Sequence, residues 1–238
     1  MVREQFGEIP LIIGGVEAGL RRFAHYDYWS GKVRRSIIQD CNADILVYGM
    51  GENAILRIAQ LLSKGVNVKK INSIEGTCVF LKPEDMPKAC NDPDKSTILP
   101  SFEEVSTDKN AYLNAFKVQY EEQVPGKSKI LLQKHSQKYL IHNPPQKPLT
   151  GKELDGIYSL EYERNYHPSY EKFGGVPSIK EVKFSINSHR GCFGGCNFCA
   201  ITFHQGRIVQ HRSVESIQQE ALEITDDPEF KGYIHDIG

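Results

Sequence analysis

Ile45-Leu46-Val47-Tyr48, followed by Gly49-Met50-Gly51-Glu52-Asn53-Ala54, sets the architecture of the chain. Four consecutive apolar residues read as a buried strand, and the two glycines permit a sharp turn after it. From about Asn53 to Ser63 apolar residues recur at helical spacing, with Ile55, Ile58, Ala59 and Leu62 on one face and Gly65 as the stop. Strand, tight turn and helix make the repeating unit of an α/β fold. The turn fits G-x-G-x-x-A, the pattern of a dinucleotide loop. Glu52, however, sets a negative charge where a pyrophosphate would meet the helix N-terminus. The segment therefore reads as a generic turn of a Rossmann-like domain.

Working outward, Leu11-Ile12-Ile13 reads as a short buried strand ending at Gly14-Gly15, with a helix from about Val16. The stretch Arg21–Trp29 is dense in cations and aromatics; on chemistry alone it reads as an amphipathic helix with snorkelling arginines. Cys41 reads as a small buried side chain. Gly76–Leu81 is a further strand. Four prolines between Lys82 and Ser101 mark an exposed loop. A helix is expected from about Thr107 to Gln123, packing through Tyr112, Ala115, Phe116 and Tyr120, and then a hairpin from Ile130–Gln133 and Tyr139–His142. Asn143-Pro144-Pro145 breaks structure. The expected organisation is an α/β N-terminal domain over residues 1–148, a connector over 149–179 and a further domain from 180 to 238.

Hydrophobic residues make up 39% of the 238-residue chain and charged residues 25%, values of an ordinary globular protein. With a formal net charge of −1 there is no global electrostatic attraction for nucleic acid or a membrane surface. No apolar run approaches the length that spans a bilayer. Six cysteines without regular pairing suit a reducing compartment, so cytoplasm is the expected location.

Three of those cysteines form Gly191-Cys192-Phe193-Gly194-Gly195-Cys196-Asn197-Phe198-Cys199, a C-x3-C-x2-C run. Thiolates this close converge on one metal only if the backbone curls around it, which the glycines allow. The loop N–H groups can then hydrogen-bond to sulfur and set the potential of a cluster. Three ligands on a four-iron cubane leave one iron open. The same thiolates with His204, five residues on, form an alternative Cys3His zinc set. A closed electron-transfer cluster is a further alternative, with Cys41, Cys78 or Cys90 as fourth ligand. A disulfide leaves one thiol over.

C-x3-C-x-aromatic-C resembles the signature of radical S-adenosylmethionine (radical SAM) enzymes. Ser188-His189-Arg190-Gly191-Cys192, His204-Gln205-Gly206-Arg207 and Arg212-Ser213-Val214-Glu215-Ser216-Ile217 resemble the YgiQ-type branch. So do Gly14-Gly15-Val16-Glu17-Ala18, Leu20-Arg21-Arg22 and His25-Tyr26-Asp27-Tyr28-Trp29, far from the cysteines. The resemblance implies a [4Fe-4S] cluster on Cys192, Cys196 and Cys199. S-adenosylmethionine would sit on its open iron, with Phe198 near adenine and Gly194 and Gly195 in the cofactor-binding loop. It also implies reductive cleavage to a 5′-deoxyadenosyl radical, fed by a flavodoxin- or ferredoxin-like one-electron donor and acting on an unknown substrate. His189, Arg190, His204 and Arg207 are candidates to line the site. A non-catalytic zinc- or cluster-binding module and an RNA-modifying enzyme stand as alternatives.

Glu181–Asn187 alternates, with Val182, Phe184 and Ile186 on one face, and reads as a strand leading into the cysteine loop. Ser213 caps a helix over Val214–Thr225 whose stripe is Val214, Ile217, Ala221 and Ile224, and Tyr233–Ile237 reads as a second strand. By resemblance this is the first β/α unit of a partial (β/α)6 barrel, and Asp236 opens the motif that meets the amino group of S-adenosylmethionine. The chain is thus expected to be an internal fragment, inactive alone.

Overall fold

The computed structural model describes residues 2–238. They divide into two compact units, one of residues 2–147 with Phe193–Arg207 and one of Pro148–Cys192 with Ile208–Gly238. Among the described residues no helix is long and apolar enough to cross a membrane.

In the first unit the chain runs α1 (Val2–Phe6), β1 (Ile12–Ile13), α2 (Gly15–Leu20), β2 (His25–Asp27), β3 (Lys32–Arg34), α3 (Ile37–Asp40), β4 (Ile45–Val47) and α4 (Glu52–Ser63). It continues through β5 (Thr77–Leu81), β6 (Ser96–Leu99), α5 (Phe102–Thr107), α6 (Lys109–Glu121), β7 (Ile130–His135) and β8 (Lys138–His142). Six strands form one sheet in the order β1-β4-β5-β8-β7-β6. Both faces of this sheet are covered. Leu46, Cys78, Leu131 and Leu140 point into one core layer, while Ile45, Val47, Val79, Leu132 and Ile141 point into the other. That double burial is why β4 reads as an unbroken apolar run.

The α/β class holds, but the pairing departs from a Rossmann-like sheet. Only the edge pairs β1–β4 and β6–β7 are parallel. The inner pairs β4–β5, β5–β8 and β7–β8 are antiparallel. The two-residue turn Ser136-Gln137, with Ser136 at φ 56°, joins β7 to β8 and forces that pair antiparallel.

Other expectations are corrected at residue level. Arg21–Trp29 is not a helix: His25–Asp27 pairs with Lys32–Arg34 as a hairpin, leaving Tyr28 and Trp29 exposed. The proline-rich stretch contains β6, which extends the sheet beside β7. On α4 the packing residues are Ala54, Ile58, Leu61 and Leu62, while Ile55 and Ala59 face solvent. The helix expected over 107–123 breaks at Asp108. Ser101 and Glu104 cap α5 reciprocally, and the Asp108 side chain caps α6 by accepting from the Asn110 amide. Cys41 is exposed.

The second unit contains α7 (Gly151–Tyr158), α8 (Ile179–Val182) and β9 (His189–Arg190). After α9 (Ile201–His204), which belongs to the first unit, come β10 (Gln210–His211) and α10 (Val214–Thr225). The strands expected over Glu181–Asn187 and Tyr233–Ile237 are reduced to one isolated parallel bridge, Ile186 to Ile237, because residues 179–182 form α8, Lys183 and Phe184 turn, and Val182 is exposed. At that bridge the chain runs parallel to its own last residues. Ile186 donates its amide to the Asp236 carbonyl, and Gly238 donates to the Ile186 carbonyl, both at 3.0 Å. Helix α10 connects these segments, capped by the Ser213 hydroxyl, which accepts from the Ser216 amide. Ile217, Ala221 and Ile224 pack beneath it with Phe184 and Ile186, whereas Val214 is exposed.

Candidate metal centre

The cysteine run leaves β9 and adopts no regular structure before α9. Gly191 lies at φ 87°, a left-handed conformation that redirects the chain at the first cysteine. The Cys199 amide donates to the Cys196 carbonyl at 3.0 Å, closing a turn around Asn197 and Phe198. All six cysteines are thiols; Cys192 and Cys199 are half-buried and Cys196 is exposed. Cys192 ends a segment of the second unit, and Cys196 and Cys199 belong to the first. Among the described residues no three His, Cys, Asp or Glu side chains are gathered as a metal centre. The donor set itself fits an iron–sulfur group: three closely spaced soft thiols on a glycine-rich loop, accessible to solvent.

The remaining cysteines do not match that chemistry. Cys78 is fully buried, and burial pushes its thiol up to about 12. Burial likewise raises the Cys90 thiol. Neither is a ready thiolate. His204, the candidate zinc ligand, is held by packing instead. Its Nδ1 lies 3.7 Å from where a Cβ on Gly19 would stand, and burial, with the Arg22 charge, lowers its pKa. Helix α9 thereby packs on α2, so two stretches singled out separately in the sequence meet in one place.

Phe198 is 93% exposed, its ring unengaged by the core. Gly195 stands beside Tyr120, whose hydroxyl lies 3.5 Å from a Cβ built on that glycine. Asp236 exposes its side chain and uses its backbone carbonyl for the parallel pairing.

Two further groups escape a reading by motif. Phe116 and Tyr120 of α6 do not turn fully into the core; both stay more than a third exposed and meet Phe203 of α9 at 5.5 and 5.6 Å between ring centroids. The Arg207 guanidinium lies 4.4 Å over the Tyr120 ring. Phe116, Tyr120 and Phe203 border a cavity of about 380 Å³ that is also lined by Cys196 and Cys199. Their i, i+4 spacing was visible in the sequence, but the direction they face was not.

In the second unit the Tyr158 ring receives Arg190 at 5.1 Å and Arg212 at 4.3 Å. Arg212 is buried and pairs with buried Glu220, which also binds Arg164 at 2.9 Å. Arg212 further donates to the Asn187 carbonyl at 2.9 Å. The arginines flanking the cysteine run therefore hold the stem of the loop.

The chain matches the family model described as Radical SAM N-terminal over residues 1–185. It belongs to that family. A UPF0313 protein of Clostridium botulinum (strain Kyoto / Type A2) is 52% identical over 237 residues, which is 100% of this chain and 36% of that protein. A UPF0313 protein of Clostridium perfringens (strain ATCC 13124) is 53% identical over 237 residues, 35% of its length. The chain thus spans about a third of the length of the curated relatives it matches. No solved structure matches this radical SAM family chain.

Proposed function

We propose that this chain carries the cluster loop of a radical SAM enzyme. Cys192, Cys196 and Cys199 would hold a [4Fe-4S] cluster, which would serve the reductive cleavage of S-adenosylmethionine. The observation that carries the reading is the C-x3-C-x2-C run of thiols in a chain of the radical SAM N-terminal family. When bound, the cluster supplies one electron for cleavage of the cofactor's carbon–sulfur bond.

The chain's own residues divide the remaining work. Gly194 and Gly195 let the loop backbone approach sulfur closely and offer it N–H donors. Phe198 offers a free ring face for adenine, and Asp236 offers a carboxylate for the cofactor's ammonium group. The Arg190–Tyr158–Arg212 stack and the Glu220 pair fix the loop stem, so that ligand spacing does not depend on loop entropy alone. The finer architecture belongs to the same proposal: the crossover through α10 is the first unit of a partial (β/α)6 barrel, and a flavodoxin- or ferredoxin-like protein supplies the electron. The substrate is a molecule that yields a hydrogen atom.

Anaerobic reconstitution with iron and sulfide tests the ligand set. The expected content is four irons and four sulfides per chain, as the proposed cluster requires. Cys196→Ser and Cys199→Ser should lose the cluster, and Cys90→Ser should keep it. Retention of zinc with no uptake of iron or sulfide would overturn the reading.

A further inference from the structure

Helix α6 lies some eighty residues before the cysteine run, yet it forms one wall of the cavity beside Cys196 and Cys199. Phe116 and Tyr120, one turn apart on that helix, face it together with Phe203. Aromatic rings stack there without sealing the space, and the cavity keeps a volume of about 380 Å³. Its polar side chains differ in reach. Lys117 is exposed, Asn197 travels with the loop itself, and Thr202 is buried on α9. Tyr120 is fixed from two sides, by Phe203 at 5.6 Å and by Arg207 at 4.4 Å over its ring. Its hydroxyl lies beside the loop, 3.5 Å from where a Cβ on Gly195 would stand.

We infer that Tyr120 is a positioning and tuning residue for the cluster, its hydroxyl donating a hydrogen bond to a sulfur held at Cys196 or Cys199; this rests on the cluster reading above. The physical basis is charge. Reduction adds an electron to an already anionic thiolate cluster, and a hydrogen bond to sulfur stabilises the more negative state. The residue comes from the N-terminal region and not from the cysteine segment, so that region helps to set the potential at which S-adenosylmethionine is cleaved. Arg207, from the segment just after the cysteines, sets the angle of the Tyr120 ring.

The test compares the reconstituted protein with its Tyr120→Phe variant, which keeps the ring and both of its stacking partners. Iron and sulfide content should be unchanged. The midpoint potential from an anaerobic redox titration followed by electron paramagnetic resonance should move to a more negative value. A shift of about 59 mV corresponds to a tenfold change in a one-electron equilibrium. Phe116→Leu, which removes a ring without a donor, should leave the potential nearly where it is. An identical potential in Tyr120→Phe with a full cluster would overturn the inference and leave the cluster reading intact. Absence of a cluster from the unmutated protein would overturn both. Equal shifts in the two variants would assign the effect to water exclusion and overturn the hydrogen bond.

Discussion

Nε of Arg22 donates to Nε2 of His142 across 3.1 Å, and both side chains are buried. Arginine has no acceptor, so this bond requires an unprotonated His142 nitrogen and a neutral ring. Burial, reinforced by the Arg22 charge, holds the His142 pKa well below its usual value. Burial does the same for His135, taking it to about 4. Both imidazoles stay neutral in the fold while the unfolded chain binds protons near pH 6.5. The unfolded state therefore gains protons first as pH falls. The stability these neutral rings contribute is present above pH 6.5 and is lost on acidification toward pH 4. Each contributes a slope of about 1.4 kcal/mol per pH unit in that window. Thermal melts between pH 7.5 and 4.5 should show the fall, and His135→Gln should flatten part of it. A variant melting curve parallel to wild type throughout would contradict the assignment.

Gly76 is required by its backbone. It sits at φ 74°, donates to the Pro144 carbonyl at 2.7 Å and accepts from the Tyr48 amide at 2.9 Å. A Cβ there would also stand 2.7 Å from the Gln146 side chain. Gly76→Ala should cost about 2 kcal/mol in urea unfolding, chiefly from left-handed strain. Gly156, inside α7 with open space around it, gives the contrast. Gly156→Ala should be neutral or stabilising by about 0.5–1 kcal/mol. Equal costs at the two sites would refute the backbone explanation.

Removing the Glu220 carboxylate leaves buried Arg212 without its counter-charge and also releases Arg164. Glu220→Ala should destabilise the protein by about 3–5 kcal/mol, as breaking a buried pair does. The loop stem should loosen with it, read as faster amide exchange at residues 188–192. An exposed pair makes the control: Lys82 and Glu84 lie 3.7 Å apart at the surface, and Glu84→Ala should change stability by less than about 1 kcal/mol.

How much of this was legible in the sequence follows from the range of the signals. Strand β4, helix α4 and the β7–β8 hairpin are local patterns, and each was readable from periodicity and turn residues. The thiols at 192, 196 and 199 were equally plain, because ligand spacing is written in consecutive residues. Antiparallel pairing of β4 with β5 was not, since periodicity does not encode strand direction across a helical crossover. Helical and hairpin readings of Arg21–Trp29 compete in composition; contacts such as the Tyr26 amide donating to the Tyr112 hydroxyl at 3.1 Å favour the hairpin. Tyr120 was legible as a packing residue but not as a neighbour of Gly195, because that contact joins residues seventy-five apart.

The most direct test of the central claim is electron paramagnetic resonance of the anaerobically reconstituted, reduced protein, recorded with and without S-adenosylmethionine. A [4Fe-4S] signal that changes when the cofactor is added, and that vanishes in Cys192→Ser, is the predicted result. A cluster signal indifferent to the cofactor, or a protein that keeps zinc and assembles no cluster, would contradict it.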